Sequence, residues 1–192
     1  MSSGAVRDDV PGAARRYVLL DRDGTLVRDV GHPHRLEDYE LTPGAGAALA
    51  RLAAAGFRLA IVTNQSGIGR GLFGWPAYER FHARLLADLA AAGVAIDATF
   101  VCPHRPDEGC GCRKPEPGLL WRARDALGAA LGESWVIGDT ERDVGAARRA
   151  GCRGAVRIGV AAPRVPGDDP FALEARDLAG AVDLIVARSG PE

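Results

Sequence analysis

The chain predicts an α/β fold, with a parallel sheet as the middle of three layers and helices on both faces, on the strength of three observations. Short apolar runs alternate with segments whose apolar residues recur at helical spacing. The residues best suited to chemistry lie just after, or a few residues beyond, those runs, so in a parallel sheet they converge at one edge. At 192 residues the chain is long enough to bury one core and too short for a second folded domain.

Taken in order, Tyr17–Leu20 reads as a buried strand ending at Asp21, and Phe57–Val62 as a second ending at Thr63. Between them Pro43–Ala55 carries Leu49 and Leu52 in an alanine-rich helix closed by Gly56. Pro76 stands where a first helical turn begins, and Phe81, Leu85, Leu86 and Leu89 continue that helix to Gly93. Ile96–Val101 predicts a strand, Pro117–Leu131 a helix, Ser134–Ile137 a strand and Glu141–Ala150 a helix stopped by Gly151. Gly154–Val160 and Val182–Val186 are expected as further strands, with a short helix near Phe171–Leu178. Pro163–Pro170 reads as a surface loop, and residues 1–16 as a frayed tail on a single domain spanning 17–192.

Charged residues make up 26% of the chain but the formal net charge is −1, which argues against a nucleic-acid or anionic-membrane partner. Met1–Arg16 contains no apolar stretch of signal-peptide length, so a cytoplasmic protein is expected. A monomer acting on a small molecule fits these features.

Four segments carry the chemistry: Asp21-Arg22-Asp23-Gly24-Thr25, Thr63-Asn64-Gln65, Arg113-Lys114-Pro115, and Gly138-Asp139 with Asp143 beyond. Two aspartates one residue apart after a strand are more often turn residues. The complete Asp-x-Asp-Gly-Thr string, followed by the other three segments in this order, resembles the haloacid dehalogenase superfamily of phosphatases over residues 17–160. The resemblance implies a Rossmann-like sheet.

In that family Asp21 is the nucleophile that forms an aspartyl-phosphate, and Asp23 the general acid and base. Thr63 and Lys114 match the positions that hold the transferring phosphoryl oxygens. Two carboxylates facing a phosphate need a divalent cation, and an all-oxygen site suits Mg2+. The implied ligands are the Asp21 carboxylate, the Asp23 backbone carbonyl and the Asp139 carboxylate, with Asp143 as outer support.

Three of the four cysteines fall within eleven residues, which favours metal over disulfides. Cys102, His104, Cys110 and Cys112 supply three thiolates and an imidazole, a closed tetrahedral set for structural Zn2+. Arg113 and Lys114 follow the last ligand directly, so ordering the loop fixes where the lysine points. The segments between motifs leave no room for a large cap domain, so this loop and Arg28–Tyr39 form the rim of the substrate pocket.

A cap-less member with a zinc loop is similar to the branch that holds histidinol-phosphate and heptose-bisphosphate phosphatases. Gly31-His32-Pro33-His34 and Cys112–Gly118 lean toward the heptose side, which implies a sugar-phosphate substrate losing its C7 phosphate. Asp29, His32, Asn64, Gln65, Ser66 and Arg113 are then the substrate contacts. The short interval from His104 to Cys110 keeps histidinol phosphate open as the alternative substrate, and Thr140, where relatives often carry a basic residue, allows a different sugar, a different anomer or a substrate with one phosphate. A non-catalytic phosphoacceptor or binding module is the reading from another class, and Asp23 argues against it because a signalling site needs no adjacent acid and base.

Overall fold

The computed structural model describes residues 15–163 and 169–189. The strands are β1 (Tyr17–Leu20), β2 (Arg58–Asn64), β3 (Thr99–Cys102), β4 (Trp135–Gly138), β5 (Gly154–Arg157) and β6 (Ala172–Glu174). The helices are α1 (Ala45–Ala54), α2 (Ser66–Gly69), α3 (Trp75–Ala91), α4 (Gly118–Leu127), α5 (Glu141–Ala150) and α6 (Leu178–Ala187). The six strands form one sheet in the order β3-β2-β1-β4-β5-β6, with every pair parallel. The order reverses between β1 and β4, which opens a crevice at their carboxyl ends.

Alternation along the strands builds two cores, because successive side chains leave opposite faces of a sheet. Val18 and Leu20 of β1 face a core shared with Leu49 and Leu52 of α1, Phe81 and Leu85 of α3, and Val182 and Ile185 of α6. Tyr17 and Leu19 face the other core, with Leu119 and Leu120 of α4 and Val144 and Ala147 of α5. Both faces of the sheet are therefore covered, and the three-layer expectation holds. No separate cap domain is evident among the described residues.

The C-terminal elements correct the sequence reading. Phe171–Leu178, expected as a helix, contains β6, and Val182–Val186, expected as a strand, lies inside α6. The β-branched residues of that run suggested a strand. Yet Leu178, Ala181, Val182 and Ile185 are buried at helical spacing, and the Asp177 carboxylate caps the helix by accepting from Gly180 N at 2.8 Å. The strand on the sheet edge is instead fixed by Arg157 of β5, whose Nη2 donates to Glu174 at 2.7 Å. The helix expected to reach Leu131 stops at Leu127, where Gly128 takes a left-handed φ of 66°.

The expected tail, residues 1–16, falls outside the described residues except for Arg15 and Arg16, as does most of the expected loop 163–170. No helix among the described residues is long and apolar enough to cross a membrane.

Candidate active site

The four segments converge where β1, β2 and β4 end. Their loops line a cleft of about 180 Å3 whose walls include Asp21, Asp23, Lys114, Asp139 and Asp143. Gly24 makes the turn that brings the two aspartates together: its φ is +77°, and a Cβ there would fall on the Asp139 carboxylate.

Lys114 is 2% exposed, and its ammonium donates to three acceptors. These are Asp21 Oδ1 at 2.9 Å, Asp143 Oδ1 at 2.5 Å and the Val62 carbonyl at 2.8 Å. The lysine carries three donors, so this set is complete. Burial works against its charge, but Asp143 and Asp21 outweigh burial and hold its pKa above the ordinary lysine value. Asp21 Oδ1 also accepts from Arg22 N at 2.8 Å, so both of its donors reach one oxygen.

Burial pushes the Asp21 carboxyl up to about 7, with Lys114 pulling it down and Asp143 and Asp23 adding to the rise. Asp139 is raised to about 6, again by burial first and then by Asp143. Carboxylate oxygens of Asp21, Asp139 and Asp143 all lie within 4.8 Å of one another. Such a crowded, desolvated, all-oxygen set fits a hard divalent cation. Asp143 is the least available of the three. Its Oδ1 takes the lysine, and its Oδ2 accepts from Thr140 N at 3.2 Å and Thr140 Oγ1 at 2.7 Å in the capping box of α5.

The expected zinc ligands are also gathered. Cys102, the last residue of β3, has its Sγ 3.6 Å from Cys110 Sγ and 3.6 Å from His104 Nδ1. Cys112 Sγ stands 3.6 Å from Cys110 Sγ and 3.3 Å from His104 Nδ1. A tetrahedral zinc with bonds of about 2.3 Å to sulfur and about 2.0 Å to nitrogen has edges of roughly 3.5–3.8 Å, so the four atoms already outline the polyhedron. Gly118 N donates to Gly111 O at 3.0 Å and closes the loop that carries Arg113 and Lys114.

Of the expected substrate contacts, Asp29, His32, Asn64, Ser66 and Arg113 line the cleft, joined by Thr140 and Arg142. Gln65 does not line it. It is 2% exposed, and its Nε2 donates to Asp23 Oδ2 at 2.8 Å and Thr63 Oγ1 at 3.0 Å. Thr63 is likewise buried and does not line the cleft. Asn64 lines the cleft while clipping the lysine segment from both sides. Its Nδ2 donates to Lys114 O at 3.1 Å, and its Oδ1 accepts from Lys114 N at 3.1 Å.

The rim loop is pinned by His34, whose ring stacks on Phe73 with centroids 4.4 Å apart, while His32 takes a left-handed φ of 62°. Arg22 went unassigned in the sequence. It is fully buried, and the aromatic pair Tyr78 and Phe81 at helical spacing on α3 was the available signal of a shelf for it. A second cavity of about 450 Å3 adjoins the cleft and shares Arg113, Lys114 and Arg142 with it.

Comparison with known proteins agrees with this geometry. The family model described as "HAD-hyrolase-like" matches residues 111–169. A protein of Thermoplasma acidophilum named a probable D-glycero-D-manno-heptose-1,7-bisphosphate 7-phosphatase is 44% identical over 126 residues, covering 66% of this chain and 79% of the relative. The D-glycero-beta-D-manno-heptose-1,7-bisphosphate 7-phosphatase of Pseudomonas aeruginosa is 39% identical over 141 residues, covering 73% of this chain and 79% of the relative. The crystal structure of D,D-heptose 1,7-bisphosphate phosphatase from B. bronchiseptica, complexed with magnesium and phosphate, superposes with a TM-score of 0.79 at 31% identity, covering 90% of this chain and 99% of that one. The motif order, the sheet topology and these likenesses agree: the chain belongs to the heptose-1,7-bisphosphate 7-phosphatase family of haloacid dehalogenase-like hydrolases.

Proposed function

We propose that this chain is a Mg2+-dependent phosphatase that removes the C7 phosphate of a heptose 1,7-bisphosphate through an aspartyl-phosphate on Asp21. The observation that carries the reading is the buried Asp21–Lys114 pair at 2.9 Å, which lines one cleft together with Asp23 and Asp139. An ionised Asp21 attacks phosphorus as the ester P–O bond breaks, and Asp23 gives its proton to the departing sugar oxygen. Asp23 then takes a proton from water as that water attacks the acyl phosphate, releasing phosphate and restoring Asp21.

Lys114 places a fixed positive charge where phosphoryl charge develops, and Thr63, whose Oγ1 accepts from Gln65 Nε2 at 3.0 Å, would turn its hydroxyl hydrogen to the phosphoryl oxygens. Mg2+ held by Asp21, Asp139 and the Asp23 carbonyl would screen these carboxylates from the phosphate dianion. Asp29, His32, Ser66 and Arg113 would contact the sugar and its second phosphate from the rim. Structural zinc on Cys102, His104, Cys110 and Cys112 would brace the loop behind Lys114.

Phosphate release by purified protein with Mg2+ tests the reading, with heptose 1,7-bisphosphate and histidinol phosphate compared side by side and Asp21→Asn as the blank. Release of one phosphate, with strong preference for the bisphosphate, is expected. Preference for histidinol phosphate would overturn the substrate, and substantial turnover by Asp21→Asn would overturn the covalent route.

A further inference from the structure

Arg22 lies between the two aspartates, is 0% exposed, and is not among the residues that line the cleft. Its guanidinium grips the Asp23 carboxylate at both oxygens, Nε to Oδ1 at 2.6 Å and Nη2 to Oδ2 at 3.1 Å. Nη2 also donates to Gln65 Oε1 at 3.1 Å and to the Pro33 carbonyl of the rim loop at 3.0 Å. The flat cation rests over Tyr78 and Phe81, 5.2 and 4.9 Å from their ring centroids. Gln65 completes the cradle by donating to Asp23 Oδ2 at 2.8 Å.

A buried guanidinium is costly unless its geometry is good and its partners are several; here Nε and Nη2 serve the Asp23 carboxylate, Gln65 and the Pro33 carbonyl, while Nη1 is buried with no hydrogen-bond partner. A single donor would leave that carboxylate free to rotate about Cβ–Cγ, whereas two parallel donors fix its plane. Oδ2 accepts from two donors and Oδ1 from one, so Oδ1 keeps the greater capacity for a proton.

We propose that Arg22, seconded by Gln65, is a positioning residue that sets the plane of Asp23 for proton transfer to the leaving oxygen, and that its bond to Pro33 registers the rim loop to the same carboxylate. The proposal rests on the acid–base reading of Asp23. In the first half-reaction the proton passes from the Asp23 carboxyl to the sugar oxygen as the P–O bond breaks. In the second it passes from water to the Asp23 carboxylate as the water oxygen bonds to phosphorus. Arg22 takes no proton in either step: its Nε and Nη2 only donate to Asp23, Gln65 and the Pro33 carbonyl.

The test compares an alkyl phosphate, the heptose bisphosphate, with p-nitrophenyl phosphate, whose phenolate leaves without an acid. For Arg22→Lys, which keeps the charge but loses the fork, and for Gln65→Met, the ratio of alkyl to aryl kcat/KM is expected to fall by about tenfold or more. Melting curves confirm that each variant is folded. Asp23→Asn should show the same selective loss, and adding Arg22→Lys to it should cost less than about twofold further on the alkyl ester. Equal losses on both substrates, or a full additional loss in the Asp23→Asn background, would overturn the proposal. A non-selective Asp23→Asn removes the acid–base reading and this proposal with it, whereas a selective Asp23→Asn beside a non-selective Arg22→Lys removes this proposal alone.

Discussion

Replacing Asp143 with asparagine asks whether Lys114 is held from behind. Asp143 is 1% exposed and has both oxygens engaged, one by Lys114 Nζ at 2.5 Å and the other by Thr140 N and Oγ1. Asparagine keeps the shape but offers one acceptor and one donor. Either the amide NH2 confronts the ammonium, or it confronts the donors of the capping box.

Removing one partner of a buried ion pair costs about 3–5 kcal/mol, and because Lys114 keeps Asp21 and the Val62 carbonyl, the lower figure of about 3 kcal/mol applies. For a chain of 192 residues this lowers Tm by about 6–12 °C. A loosened Lys114 is also expected to cut kcat by roughly 10- to 100-fold. Thermal unfolding and phosphate release measure the two effects, and a Mg2+ titration separates the roles. The concentration of Mg2+ for half-maximal rate should stay within about threefold of the unsubstituted protein, because Asp143 spends its oxygens on Lys114 and Thr140. A Tm within about 2 °C of the unsubstituted protein, or a large loss of Mg2+ response with kcat intact at saturation, would refute this account.

Cys110→Ser is expected to release zinc and lower Tm, since ligation and folding of the loop are linked; unchanged zinc by elemental analysis would sink the metal-loop assignment. The raised carboxyls make metal-free stability depend on pH. Asp21 moves from 3.8 to about 7 and Asp139 from 3.8 to about 6, so their contribution is full below about pH 4 and is lost as pH rises through 6 to 7. Melting in EDTA should therefore fall between pH 5 and pH 8 and the gain from added Mg2+ should grow over the same range; a gain independent of pH would contradict the linkage. Gly24→Ala should raise the Mg2+ concentration for half-maximal rate by about tenfold or more, because a Cβ at this left-handed position displaces the Asp139 carboxylate; an unchanged Mg2+ titration curve would argue that Asp139 is not a ligand.

The expected reactive residues were legible because their spacing is local and follows strand ends. Asp21, Thr63 and Asp139 each terminate or follow a strand of the sheet's centre, so finding the strands places them at one edge. The Cys/His cluster was legible for the same reason, as its four residues lie close together in the chain. Gln65 and Arg22 were not, because what they do depends on partners remote in sequence. A glutamine beside Thr63 reads as a rim residue until Arg22 and Asp23 take both ends of its amide. The swapped assignments near the C-terminus have a different cause. Val182, Ile185 and Val186 carry strand propensity, but burial against α1 and the Asp177 cap outweigh it. Ala172–Glu174 is too short to announce itself and exists as a strand because the edge of β5 is there to receive it.

The strand order has a consequence for how such an enzyme can be altered. The expected reacting groups are delivered by three neighbouring strands or by the lysine segment clipped to them through Asn64, while most of the rim comes from loops outside the sheet. Loop transplants between relatives at residues 28–39 would thus alter the rim while the strand-borne groups stay, provided the Pro33 carbonyl on Arg22 is kept, whereas 102–112 carries the Cys/His cluster behind Lys114 and must keep it. The edge of the sheet formed by β5 and β6, which contributes no cleft residue, is the natural place to attach tags, tethers or fluorophores.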